Sequence, residues 1–440
     1  MICLMLQSCD KEFLEKKPDK ALLVPTALKD FQTLMDNELV MNVSPALGVI
    51  GSDEYYLTDA LLTSLTGMEI NTYLWKKEIY DAGEQVNDWN YPYQQVFYAN
   101  AVLQGLEQAG REKESPGQWD KMKGSALFYR AHAFYQLAQL FAIPYHPVTA
   151  ASDRGIPLRL SPDVTTVSKR ASVKESYERV IADLTEAVAL LPLQADYKTR
   201  PTRAAGLALL ARTYLAMQDY DKALAHSESA LALKSTLIDF NTLNTSLAKP
   251  IAGKNEEIIF YSSMLSYIFS FRALISQADV DNYADNDLRK AAFFTTRANG
   301  DINFKGTYTG NLEYFGGLAV DELYLIRAEC LARKGKAPEA LGVLNTLLEK
   351  RWKQGTFVPQ SAASADEALE LVLEERKKEL LFRGTRWTDL RRLNTETRFA
   401  VTLTRSANSP VTSLPPNDKR YIMPIPDPEV LINGIEQNER

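Results

Sequence analysis

One stretch constrains the fold more than any other. "PTRAAGLALLARTYLAMQDYDKALAHSESALAL" reads as two helices separated by a break at Gln218-Asp219-Tyr220-Asp221. Leu207, Ala211 and Tyr214 recur at helical spacing on the first helix, and Ala223, Ser227 and Ala230 do so on the second. Small residues let two helices approach closely, and the large ones fill the gaps between them.

A second stretch repeats the pattern. "VDELYLIRAECLARKGKAPEALGVLNTLLEKR" places Tyr324, Ala328 and Leu331 on one helix and Ala340, Leu344 and Leu347 on the next, with Gly335 at the turn as a helix C-cap. This is the tetratricopeptide arrangement. A weaker copy has Leu127, Ala131 and Phe134 in "KGSALFYRAHAFYQLAQLFAIP". "SVKESYERVIADLTEAVALLP" adds an amphipathic helix capped by Ser172 and closed by Pro192, and "PYQQVFYANAVLQGLEQ" supplies another. The two clear pairs are about 90 residues apart, so the repeats are not one tandem block.

The intervening segment, about 235–320, is rich in aromatics, Asn, Gly and Asp, and reads as short strands and loops. The segments 36–90 and 400–440 are similarly irregular. The expected architecture is mainly α: a tetratricopeptide-like helical-repeat scaffold carrying aromatic-rich loop and short-strand insertions. Loops on a rigid scaffold are where binding residues concentrate.

Composition narrows the function. The chain has 440 residues, is 24% charged and carries a net charge of −6. Its basic residues form no stripe, which argues against nucleic-acid binding. The densest basic run, in "EERKKELLFRGTRWTDLRRL", alternates with acids and reads as a solvated helix face. The histidines His132, His146 and His226 are scattered and build no zinc motif, and His132 reads as a core or groove residue. No phosphate-cradling glycine motif or nucleophile elbow is present. "DVDNYADND" resembles a calcium loop in charge, but Ala284 and Lys290 stand where that motif needs Gly and Glu. No metal, cofactor or catalytic residue is expected.

The opening "MICLMLQSCDKEFLEKKPD" contains Leu6-Gln7-Ser8-Cys9, an aliphatic residue three before Cys and a small one just before it. This is the form of a lipobox, in which a signal peptidase cuts ahead of the cysteine and its thiol carries a diacylglycerol. The apolar run is shorter than the roughly 20 residues that span a bilayer, and no Lys or Arg precedes it. Two readings stay open on these residues: a start of translation further upstream, or an ordinary tail. Cys330 lies in a helical pattern and reads as a small buried hydrophobe.

Several motifs in order resemble the SusD/RagB family, the surface nutrient-binding lipoproteins of Bacteroidetes. "CDKEFLEKKPD" is similar to the family's mature start. Trp89, Tyr93, Val96 and Asn100 match its W…Y…N helix, "RGIPLRL" its Gly-x-Pro-Leu, "ERKKELLFRGTRWTDLRRL" its Arg-Trp-x-Asp-Leu segment, and "YIMPIPDPEV" its closing Pro-Ile-Pro. Arg383 departs from the pattern, which usually has an acid or amide before the glycine at 384.

The resemblance implies a lipid-anchored protein on the outer membrane at the cell surface. Cys9 would be the lipidation site, 1–8 the residual signal peptide, and 9–440 one SusD-like domain. It implies a binder rather than an enzyme, partnered by a SusC-type TonB-dependent outer-membrane transporter and carrying an oligosaccharide or, in some members, a peptide. The remaining alternative is a repeat scaffold that binds a partner protein and no small nutrient.

Sugar binding needs aromatic faces for C–H surfaces and planar polar groups for the hydroxyl rim. Phe134, Tyr214 and Tyr324 sit at repeat spacing and read as scaffold, as do Trp89 and Trp387. The ligand-binding candidates are therefore the insertion residues Asp53, Tyr55, Tyr56, Tyr73, Trp75, Tyr267, Phe269 and Tyr283. Tyr73 and Trp75 would share one face of a strand, as would Tyr267, Phe269 and Phe271.

Overall fold

The structure is a computed structural model that describes residues 27–111, 115–406 and 411–440. Cys9 and the residual signal segment lie outside the described residues.

The scaffold helices are α1 (Asn87–Ala109), α2 (Pro116–Phe141), α3 (Val173–Leu190), α4 (Arg203–Ala216), α5 (Tyr220–Leu233), α6 (Val320–Arg333), α7 (Ala337–Glu349), α8 (Ala365–Glu379) and α9 (Arg386–Leu393). From α1 to α7 each helix packs on the one before it, and α8 closes on α6 and α7. The α5–α6 contact joins the two repeat pairs directly, although the second insertion separates them in sequence. The mainly α, tetratricopeptide-like architecture expected from the spacing is the one observed.

Local chemistry sets the helix ends. Ser172 and Glu175 form a reciprocal capping box at the start of α3. Thr202 and Asp219 accept the N–H groups of Ala205 and Lys222 at the starts of α4 and α5. Gly335 follows α6 with φ +77°, a conformation that favours glycine. Ala205, Ala208 and Ala211 of α4 and Ala223, Ser227 and Ala230 of α5 are buried, and the two helices pack on each other. His132 is buried, lies parallel to the Phe128 ring, and has its pKa pushed down to about 3 by burial, so it is a neutral core residue.

The basic run read as a solvated face is mostly interior. Arg376, Arg383, Arg391 and Arg392 are buried. Arg392 donates to both oxygens of Glu329 at 2.5 and 2.8 Å, Arg376 to Asp389 at 2.8 Å, and Arg383 to Asp321 at 2.8 Å. Arg383 also lies 4.3 Å from the Tyr308 ring. These carboxylates make burial of the Arg376, Arg383 and Arg392 guanidinium groups tolerable, and Arg391 donates to the Ala142 carbonyl. Arg383 thus departs from the family pattern with a partner already in place.

The first insertion was expected to hold strands and loops. It instead holds short helices at Glu38–Met41, Leu47–Gly51, Asp59–Leu62 and Gly67–Tyr73, and its strand Val43–Ser44 pairs with Ser263–Met264 of the second insertion. Trp387 of α9 packs under the Leu47–Gly51 turn, where a Cβ on Gly51 would come within 2.9 Å of the indole. In the second insertion, Ile258–Phe260 pairs with Leu318–Ala319 at the start of α6, and Phe294–Thr296 pairs with Ile302–Phe304 as a hairpin. The Asp279–Asp287 stretch is a cap and ion-pair segment: Ser276 and Asp279 start one turn of helix, and Asp287 pairs with Arg289. The two insertions meet where Tyr56 and Leu274 exchange backbone hydrogen bonds of 2.9 and 3.1 Å.

Candidate ligand-binding site

The structure sorts the candidate aromatics by burial. Tyr55, Tyr73, Trp75, Phe269 and Tyr283 are buried, so their rings pack the insertions instead of presenting a free face. Tyr73 closes a helix and Trp75 has φ +50°, so neither belongs to a strand. Tyr55 packs on Tyr73 and Phe269 with ring centroids 5.5 and 5.4 Å apart. Their polar tips are used internally. Tyr55 donates to the Ile50 carbonyl, the Tyr73 hydroxyl accepts from Leu57 N–H, and the Trp75 indole N–H donates to the Gly51 carbonyl. Trp75 borders an open groove of about 660 Å³, but the residue is only 2% exposed.

Asp53 is also engaged. Arg386 holds both its oxygens at 2.6 and 2.8 Å, and Lys377 lies 3.4 Å away. Burial opposes the charge, yet these cations hold the carboxyl well below the usual range. Asp53 and Tyr283 border one cavity of about 40 Å³, room for little more than a water or two. Tyr267 is half-buried and donates to Asp88 at 2.5 Å, while Asp88 also accepts from Ala46 and Leu47 N–H.

Tyr56 differs from the rest, being 41% exposed. It pairs with Leu274, three residues beyond Phe271, which is 43% exposed. Residues Phe269–Arg272 form a turn of helix rather than a strand. Two residues on, a helix has rotated by about 200°. Phe269 therefore faces the core while Phe271 faces out.

Phe271 stands at a cleft of about 160 Å³. The floor is Phe304 and Tyr314, and Tyr314 stacks on Phe382 with centroids 4.6 Å apart and planes at 25°. Polar groups close the cleft: Ser270, Asn303, Arg297 and Lys249. Asn303 is fixed by its Nδ2 donating to the Ala273 carbonyl at 2.7 Å, while its Oδ1 has no hydrogen-bond partner. Ile275 N–H donates to the Ile302 carbonyl and clamps the hairpin to the same segment. An exposed ring beside an amide, a hydroxyl and two cations offers the elements that a sugar ring needs. The cleft is small beside an enclosing pocket of roughly 300–1,000 Å³, so its size suits one ring of a longer molecule.

The sequence reading missed Arg297, Asn303, Phe304 and Lys249. A signal for the first two exists: Asn299-Gly300, between Thr-rich and apolar runs, marks the hairpin that delivers them.

Two family models match the chain. One, described as starch-binding associating with outer membrane, covers residues 12–215, and the other, described as the SusD family, covers 321–439. The chain belongs to the SusD family. "SusD-like protein P2" of Formosa agariphila is 25% identical over a match that covers 79% of this chain and 78% of that protein. Solved SusD structures share the fold. A SusD superfamily protein from Bacteroides thetaiotaomicron superposes with a TM-score of 0.77 at 21% identity, over 94% of this chain and 100% of that one. A surface glycan-binding protein A from Bacteroides fluxus superposes with a TM-score of 0.70 at 17% identity, over 94% and 99%. No helix among the described residues of this SusD-family chain is long and apolar enough to cross a membrane.

Proposed function

We propose that this SusD-family protein is a lipid-anchored cell-surface binder that captures an oligosaccharide and acts as the lid of a SusC-type TonB-dependent transporter. The observation that carries the sugar reading is that the exposed Phe271 ring lines one cleft of the second insertion with Asn303, whose Oδ1 is unpartnered among the described residues. Binding is supported by the lining side chains, which include an amide, a hydroxyl and two cations able to hold a sugar's hydroxyl rim. Anchoring through Cys9 rests on the Leu6–Cys9 motif, and two acyl chains hold a protein at a membrane far better than one.

A glycan array and affinity gels, run beside a peptide pool, test the reading. Glycan retention that Phe271→Ala abolishes is the expected result. Peptide binding with every glycan blank would move the protein to a peptide-import lid. Binding of neither, with the transporter still captured, would leave an interaction scaffold. Cys9→Ser should release the protein from the membrane fraction, and unchanged attachment would remove the anchor from the proposal.

A further inference from the structure

We propose that the Phe271 cleft selects an acidic saccharide, with a carboxylate or sulfate group held by Arg297 and Lys249. This rests on the oligosaccharide reading above and adds the charge class of the ligand.

The chain as a whole is acidic, with a net charge of −6. The cleft runs against that balance, because both of its ionisable polar lining groups besides the buried Tyr314 phenol are cations. Most of the protein's interior arginines are paired with carboxylates, as Arg289, Arg351, Arg376, Arg383 and Arg392 show. Arg297 is exposed, and its guanidinium has no ion pair among the described residues. Its backbone is nevertheless held. Its N–H donates to the Asp301 carbonyl at 2.8 Å and its carbonyl accepts from Gly300 N–H at 3.0 Å, so the turn fixes where the side chain starts.

Lys249 is half-buried and its ammonium likewise has no ion pair among the described residues. Burial lowers its pKa, and the more distant Glu313 charge opposes that. A partly desolvated ammonium without a close counterion gains from an arriving anion. Glu313 offsets part of the field and leaves the cleft with net positive character. A neutral sugar would engage Phe271 and Asn303 and leave both cations without partners. An acidic sugar engages all four, and guanidinium groups bind carboxylate and sulfate-like oxyanions through paired N–H donors.

The test uses the full chain and two matched pairs of polymers: polygalacturonate against its fully methyl-esterified form, and κ-carrageenan against agarose. We expect at least one charged polymer to bind tenfold or more tighter than its neutral partner, with the advantage shrinking between 50 and 500 mM NaCl. Which pair shows the preference distinguishes a carboxylate from a sulfate ligand. Arg297→Gln and Lys249→Gln should each weaken the charged polymer about tenfold without a shift in melting temperature, and leave the neutral polymer unchanged. Equal binding of charged and neutral polymers, with Phe271→Ala abolishing both, would overturn the charge assignment and leave the sugar site standing. A charge preference that survives the Arg297→Gln/Lys249→Gln double variant would also overturn it, by placing the anion elsewhere. If Phe271→Ala has no effect on any polymer, the site itself is wrong and the inference falls with it.

Discussion

The guanidinium of Arg405 lies 3.5 Å above the ring of Tyr73, with Trp75 at 4.8 Å and Tyr55 at 5.2 Å completing a cage. Arg405 is buried, donates to the Ser52 carbonyl, and has no ion pair with a carboxylate among the described residues. Three rings that look like a ligand platform in the sequence are therefore the wall around an internal cation.

That arrangement turns Trp75 into a stability residue. Trp75→Ala should cost about 3–5 kcal/mol, the usual range for removing a large buried aromatic, and should leave glycan affinity unchanged. Urea denaturation beside affinity gels checks both. A variant of wild-type stability that has lost its ligand would put Trp75 back in the binding site.

Glu54 gives a pH signature. It is buried, accepts from Phe382 N–H at 2.7 Å and Ser52 Oγ at 3.0 Å, and burial pushes its pKa up from 4.5 to about 7. The folded state therefore holds this proton more tightly than the unfolded chain. Below about pH 4.5 the group is neutral in both states and costs nothing. Stability is lost as pH rises from there through about 7, by an amount on the order of 3 kcal/mol. Glu54→Gln should remove that part of the decline, so its stability relative to wild type should improve between pH 5 and 8. Parallel stability curves for the two proteins across that window would show that Glu54 ionises as it does in water.

Arg351 ties the second insertion to the scaffold. It donates to Glu379 and Glu257 at 2.7 Å each and to the Ile238 carbonyl at 2.8 Å, and it is fully buried. Arg351→Met leaves two buried carboxylates short of their shared cation and should cost about 3–5 kcal/mol. Arg351→Lys should recover only part of it, because one ammonium cannot reproduce the guanidinium fork. Guanidinium chloride unfolding of the three proteins makes the comparison, and a lysine variant equal to wild type would contradict the geometric argument.

The scaffold was legible because its information is local. Small and large residues alternate at helical spacing within about 34 residues, and caps such as Ser172 and Gly335 mark the ends. The interior ion pairs were not legible. Arg383 and Asp321 are 62 residues apart, and Arg392 and Glu329 are 63 apart, so the run that holds these arginines looked like a solvent face. The candidate aromatics divide between core and surface for a related reason. Aromatics in an insertion serve both as its own core and as its ligand surface, and Phe269 and Phe271 separate only once the backbone is known to be helical there. Tyr56 and Phe271 could not be told from Tyr55 and Phe269 by residue type.

Tyr56 and Phe271 carry the remaining prediction. Both rings are more than 40% exposed, so truncating either removes little packing, and the melting temperature should stay close to wild type. Tyr56 meets Leu274 through two backbone hydrogen bonds, which a change of side chain leaves intact. Aromatic contacts contribute about 0.5–1.5 kcal/mol beyond the area they bury. Phe271→Ala should therefore weaken glycan binding several-fold or more, and Tyr56→Ala should do so if the bound chain extends from the cleft toward the seam between the insertions. Titration of both variants with a short and a longer oligosaccharide separates the two contributions. A loss at Tyr56 that appears only with the longer ligand would fix the direction in which the chain leaves the Phe271 cleft. Full affinity in Phe271→Ala, for either length, would remove the cleft from consideration.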